Sequence, residues 1–210
     1  MKGHPFGSKS LLWMAVLLLV CCAIGLRAGA NAYDPLDVGD RPLSNGIDLT
    51  VRDTTRNRNI PLRIYLPAQL APAPVILFSP GLGGSREGSG YLGQHWSLRG
   101  YVVVYLQHPG SDDSVWKNQP SQKVMEAMKS AVSLENFLLR VQDVTAVLNQ
   151  LDTWNKLPGY PLAGRLDLAR VGMSGHSFGA VTTQAVSGES FSVLARIFHA
   201  RIKKHRRLAL

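Results

Sequence analysis

"ARVGMSGHSFGAVTTQ", residues 169–184, sets the fold question, because it holds Gly175-His176-Ser177-Phe178-Gly179. Glycine two places before and two places after a serine is the G-x-S-x-G pattern of a sharp strand-to-helix turn that exposes a nucleophilic serine. On composition alone that spacing is a weak signal. Its context strengthens it: Val171 and Met173 alternate with polar or small residues as a strand does, and "FGAVTTQAV" (178–186) opens with small residues compatible with a helix. Gly175 and Gly179 remove side chains that would obstruct so tight a turn, and Ala180 keeps the helix start close to the sheet.

Upstream, the strands come in two kinds. "IDLTVRD" (47–53) and "IPLRIYLP" (60–67) alternate apolar and polar residues around a polar "TTRNRN", predicting antiparallel strands joined by a turn. "VILFSP" (75–80), "YVVVYLQHPG" (101–110) and "ARVGMSG" (169–175) read as strands buried on both faces. Helices are predicted between them at 91–100, 121–132 and 133–151. The last carries an apolar stripe of Leu134, Phe137, Leu138, Val141, Val144, Leu148 and Leu151, with Ser133 as N-cap and Glu135 in the first turn. Strands alternating with helices predict an α/β architecture, a mainly parallel sheet flanked by helices, with ligands beyond the carboxyl ends of the strands. Three loops leave those ends: "SPGLGGSREGSG", "QHPGSDDSVW" and "SGHSFGA".

A serine that attacks a carbonyl needs two N–H groups aimed at the oxygen that gains charge. Phe178, directly after Ser177, should supply one. The glycine-rich loop "FSPGLGGS" should supply the other through Leu82, with Gly81, Gly83 and Gly84 letting the backbone bend. A phosphate cradle is the competing reading of that loop, but it has neither a Gly-Lys-Ser/Thr ending nor G-x-G-x-x-G spacing.

The two loop segments, "FSPGLGGSREGSGYLGQHWSLRGYVVVYLQHPGSDDSVW" and "ARVGMSGHSFGAVTTQAVSG", together resemble the bacterial predicted dienelactone hydrolases of the α/β-hydrolase superfamily. These are related to platelet-activating-factor acetylhydrolases and, more distantly, to cutinase-like polyester hydrolases. The resemblance runs from about residue 45 to 190. It implies the α/β-hydrolase fold, Ser177 as nucleophile, oxyanion N–H groups from Leu82 and Phe178, a small-molecule or lipid-like ester as substrate, and no cofactor. The chain differs at Pro80, where acetylhydrolases carry a histidine, and in using serine where dienelactone hydrolases proper use cysteine.

The ends of the chain read differently from its middle. Lys2 and Lys9, the apolar run 11–26, and the small-residue sites Ala28-Gly29-Ala30 and Ala30-Asn31-Ala32 have the layout of a secretory signal peptide over 1–32. A retained anchor and a lipoprotein site at Cys21-Cys22 are the alternatives. The expected location is secreted or periplasmic, with no stable membrane span after cleavage. Both cysteines fall in that leader, which removes a cysteine nucleophile and a thiolate metal site from the mature chain. The net charge of +9 divides into +3 over residues 1–30, zero over 31–195 and +6 over the last 15 residues. A neutral domain argues against nucleic-acid binding, leaving the basic tail as a solvated or aberrant end.

In this fold the acid and then the histidine of the triad follow the serine in sequence. After Ser177 stand Glu189, His199 and His205 within 33 residues, too few for the roughly two further strand–helix units of about 30 residues each that would carry them. His108 lies at a strand end, expected to line a substrate pocket rather than replace the base; His176 and His95 read as surface or packing residues. Asp143 and Asp167 read as structural or solvent-facing, and Asp112-Asp113 as a turn. Paired acids without a histidine give no metal site. The expectation is a hydrolase domain over 33–190 lacking its C-terminal strands, followed by a basic tail over 191–210 that a frameshift or misread end would explain. A catalytically defective fragment or a non-enzymatic binding protein is the alternative function.

Overall fold

The computed structural model of the chain describes residue 34 and residues 44–188. The predicted leader, the basic tail, Glu189, His199 and His205 lie outside the described residues. The chain divides into two compact units, Met1–Asp37 and Val38–Leu210, and all the described strands and helices belong to the second. They follow the order β1 (Ile47–Asp53), β2 (Arg58–Tyr65), β3 (Ala73–Ser79), α1 (Gly90–Leu98), β4 (Val102–Leu106), a short α2 (Ser114–Lys117), α3 (Ser121–Ala131), α4 (Leu134–Lys156), β5 (Leu166–Gly175) and α5 (Phe178–Val186).

The strands form one sheet in the order β1-β2-β4-β3-β5. β1 and β2 are the antiparallel hairpin expected from their alternation, with Val51 opposite Ile60 and Leu49 opposite Leu62. β2 joins β4 antiparallel, whereas β4, β3 and β5 run parallel, so the carboxyl ends of the last three meet at one edge of the sheet. β4 is buried along its whole length. Strand alternation explains why: Val102, Val104 and Leu106 join β3's Val75 and Leu77 and α4's Val144, Val147 and Leu151 on one face. Val103 and Tyr105 join Phe78, with Leu92 and Trp96 of α1, on the other. A strand covered by helices on both faces has no side that must be polar, hence the unbroken apolar run.

Two expectations need correction. β5 is not buried on both faces: residues 169–172 are exposed, Val171 to 39%. Among the described residues it pairs with β3 alone and forms the sheet edge. The second concerns α4. Its buried seam is Phe137, Arg140, Val144, Val147, Leu151 and Trp154, with Asp143 beside it, while Leu138 is 37% exposed. Of the apolar stripe read from sequence, Phe137, Val144 and Leu151 lie on the buried face and Leu148 packs against the core, but Arg140 and Asp143, which it omitted, stand on that face and Leu138 does not. Ser133 does cap the helix, its side chain accepting the Asn136 N–H at 3.1 Å.

Candidate active site

The elbow is built by steric exclusion. Ser177 has φ 53° and ψ −118°, a left-handed conformation rare for a residue with a Cβ. Such backbone strain, about 1–3 kcal/mol, persists only where the surroundings force it, and it is concentrated at functional sites. Here the surroundings are the two glycines. A Cβ on Gly179 would lie 1.9 Å from the Ser79 carbonyl oxygen, and one on Gly175 would lie 2.4 Å from the Gly179 carbonyl oxygen. The turn therefore packs directly on the carboxyl end of β3, where the His176 N–H donates to the Ser79 carbonyl at 3.2 Å. Beyond it α5 begins, with the Ala180 N–H donating to the Ser177 carbonyl at 2.9 Å. Ser177 itself is exposed.

The glycine-rich loop stands against this elbow. A Cβ on Gly81 would sit 3.4 Å from Ser177 Cβ and 3.1 Å from His176 Nδ1. Gly81 to Gly84 form a tight turn closed by the Gly84 N–H on the Gly81 carbonyl at 3.1 Å, with Gly83 at φ +70° as the third residue of a type II turn requires. The loop after β4 holds it from outside. The Gly83 N–H donates to the Ser111 carbonyl at 2.9 Å, and the Trp116 indole donates to the Gly83 carbonyl at 2.7 Å. Several donors of this corner are left over: among the described residues the N–H groups of Leu82 and Phe178, like those of Gly81 and Ser177, donate to no protein acceptor.

Behind the elbow lies a polar chain that the sequence reading did not assemble. Ser79, His108, Arg140, Asp143 and Thr182 are all fully buried. Ser79 Oγ is 3.0 Å from His108 Nε2, and His108 Nδ1 is 3.0 Å from Asp143 Oδ2. Asp143 also accepts from Arg58, at 2.7 and 2.9 Å, and from Arg56 at 3.0 Å. Burial pushes the imidazole of His108 down to about 4, against the opposing hydrogen bond to Asp143, so the ring is neutral at physiological pH. Burial would raise the Asp143 carboxyl, but the hydrogen bonds from His108 and Arg58 outweigh it and hold the group below the usual carboxylate range. An ionised Asp143 can only accept, so the proton of the neutral ring is on Nδ1. Nε2 then accepts from the Ser79 hydroxyl. The Ser79 oxygen in turn accepts from Arg140 Nη2 at 3.1 Å, and each group in the chain is satisfied.

Arg140 is the hub. It donates through Nε to Thr182 Oγ1 at 3.2 Å, through Nη1 to Ser111 Oγ at 2.8 Å, and through Nη2 to Ser79 Oγ and the Pro80 carbonyl. Its guanidinium carbon lies 4.7 Å from the centre of the Phe178 ring. Burial lowers its pKa to about 10, partly offset by the nearby Asp143 and Asp112 charges, and it keeps its proton.

His108 is thus corrected from a pocket-lining residue to a buried link between Ser79 and Asp143, while Asp143 takes the structural of its two expected roles, as the buried anchor of the chain. His176 is exposed, and among the described residues no histidine hydrogen-bonds Ser177. Asp167 does face solvent, paired with Arg170 at 2.6 Å. Asp112 and Asp113 do lie in a turn, but a nearly buried one, where Gln107 Nε2 donates to both carboxylates. The signal for Arg140 and Asp143 was available: two charged residues three places apart, with apolar Phe137, Leu139, Val144 and Val147 three or four places from one or the other.

A parallel sheet with a nucleophile-type elbow at the end of β5 and a glycine turn at the end of β3 has solved counterparts. The fold matches a ferulic acid esterase from Streptomyces cinnamoneus with a TM-score of 0.53 at 21% identity, covering 72% of this chain and 57% of that one. It matches a candidate dienelactone hydrolase from Klebsiella pneumoniae with a TM-score of 0.52 at 14% identity, covering 69% and 55%. The chain has the α/β-hydrolase fold. In sequence it is 37% identical over 109 residues to the probable 1-alkyl-2-acetylglycerophosphocholine esterase of Arthroderma benhamiae. That match takes in 50% of this chain and 25% of the relative, so the chain matches about a quarter of its curated relative's length. No protein-family profile matches it. Among the described residues, no helix is long and apolar enough to cross a membrane.

Proposed function

We propose that this α/β-hydrolase is an exported serine esterase that cleaves a small-molecule or lipid-like carboxylic ester through an acyl-enzyme on Ser177. Ser177 Oγ attacks the ester carbonyl carbon while a base takes its proton. The carbonyl oxygen becomes an oxyanion held by the N–H groups of Leu82 and Phe178. Collapse of the intermediate expels the alcohol with a proton, and water then releases the carboxylic acid and restores the serine. The base comes from outside the described residues, because His108 is committed to Ser79 and Asp143.

The observation that carries this reading is the left-handed Ser177 set against the Gly81–Gly84 turn, with the N–H groups of Leu82 and Phe178 among those of that corner that meet no acceptor among the described residues. The esterase names of the sequence relative and of one structural neighbour agree with it. Export rests on the signal-like residues 1–32. Treatment with a fluorophosphonate tests the chemistry: the expected outcome is one covalent adduct that disappears in Ser177→Ala. A folded protein that takes up no adduct favours the non-enzymatic binding protein. Sequencing the amino terminus of the product made in a bacterial host tests export, with a start near Asn31 or Tyr33 expected and an intact Met1 contradicting it.

A further inference from the structure

We infer that Arg140 is a positioning residue that clamps the Leu82 turn and the Ser177 elbow into one rigid unit, with the Ser79–His108–Asp143 chain as its backstop. This rests on the proposed role of Ser177. Three pieces of chain separated widely in sequence must meet at the nucleophile: the end of β3 with the Leu82 turn, the loop after β4, and the start of α5. One guanidinium binds all three. Its Nη2 holds Ser79 and the Pro80 carbonyl, immediately before Gly81; its Nη1 holds Ser111, whose carbonyl takes the Gly83 N–H; its Nε holds Thr182. Thr182 in turn donates to the Phe178 carbonyl at 3.1 Å, and the Phe178 ring lies over the guanidinium. Both residues proposed to supply oxyanion N–H groups are therefore within a few bonds of Arg140.

The composition of the clamp argues against a role in stability alone. A fully buried cation ordinarily sits against a carboxylate, since an unpaired charge in the interior is costly. Among the described residues Arg140 touches neutral oxygens and an aromatic face only. The carboxylate that could neutralise it, Asp143, is instead taken by His108, Arg56 and Arg58. A planar fork with five fixed donors can hold four separate oxygens in one plane of approach, which an ammonium cannot. Ser79 is prevented from rotating away because its proton is held by Nε2 of the neutral His108, oriented by Asp143. The polar residues of the α4 seam thus orient the elbow from behind without touching substrate.

The experiment compares Arg140→Lys with Leu151→Ala, a core truncation on the same helix remote from the site, by following fluorophosphonate labelling of Ser177 and amide exchange. Arg140→Lys is expected to lower the labelling rate at saturating probe roughly 10–100-fold with little change in the probe concentration giving half that rate. Exchange should rise in peptides spanning 79–84 and 176–182 and not in the 47–65 hairpin. Leu151→Ala, though less stable, should label at the parent rate per folded molecule. If Arg140→Lys labels and exchanges like the parent, or Leu151→Ala slows labelling equally, the positioning role is overturned while the serine chemistry stands. If the parent is not labelled, the serine chemistry fails and the exchange pattern alone decides the clamp. Should Arg140→Lys not fold, Ser111→Ala and Thr182→Val each remove one bond to Arg140, together with one to the His108 or Phe178 carbonyl, and carry the same test, with roughly threefold slower labelling expected from each.

Discussion

Two serines at the carboxyl edge of the sheet differ in everything but their chemistry. Ser79 is fully buried and stands in line with a histidine and an aspartate at hydrogen-bond distance. Ser177 is exposed, sits on a left-handed backbone, and has no described histidine bonded to its side chain. Judged by residue types, Ser79 has the triad. Judged by geometry, Ser177 has the access, the strained turn and two unspent N–H groups beside it. A Ser-His-Asp row thus does not by itself make an accessible nucleophile: at Ser79 the same three groups form a fully buried chain hydrogen-bonded within the protein.

The largest expected effect separates the two serines outright. Ser177→Ala should lower turnover of an activated ester by about 10⁴-fold or more. Ser79→Ala should leave an active nucleophile, slowed only several-fold by the loss of one clamp bond, with reduced stability, since it deprives His108 and Arg140 of a buried partner. Comparable losses from the two substitutions in assays corrected for folded protein would erase the distinction drawn here. Next comes Asp143→Ala, which leaves Arg58 and His108 buried without their acceptor and should cost about 3–5 kcal/mol in denaturant unfolding. Gly179→Ala places a methyl group against the Ser79 carbonyl and should cost about 3 kcal/mol or more, with loss of labelling at Ser177.

The buried chain also gives a pH dependence. Folding lowers the His108 pKa from near 6.5 to about 4, so between these values the unfolded chain binds a proton that the folded one does not. Stability therefore falls as the pH drops from about 6.5 towards 4, by an amount of order 3 kcal/mol, and Asp143, also lowered, extends the loss at still lower pH. Urea unfolding at a series of pH values measures the slope, and His108→Gln should flatten it. The smallest effect expected is at the start of the same helix: Ser133→Ala removes the α4 cap for about 1 kcal/mol, leaving both serines as they are.

What could be read from sequence divides along the same line. The elbow was legible because its steric demand is local: glycine on either side of Ser177 follows from the turn itself. The two-faced burial of β4 was legible from an unbroken apolar run, and the β1–β2 hairpin from its alternation. β5 misled, because an apolar strand reads alike whether a neighbour covers it or not, and Val171 turns out to be exposed. The Arg140 clamp was hidden for a different reason. Its partners lie 29 to 61 residues away along the chain, at Ser111, Thr182, Pro80 and Ser79, and a periodicity argument that rewards apolar residues passed over the two charged ones on the buried face of α4. Long-range polar contacts leave no local pattern, only the oddity of charge on a core-facing stripe.

The most direct test of the account is to react the folded full-length chain with a fluorophosphonate and locate the adduct by peptide mass spectrometry. A single modification on Ser177, with Ser79 untouched, is the predicted result. Modification of Ser79, or a folded protein with neither serine modified, would contradict it.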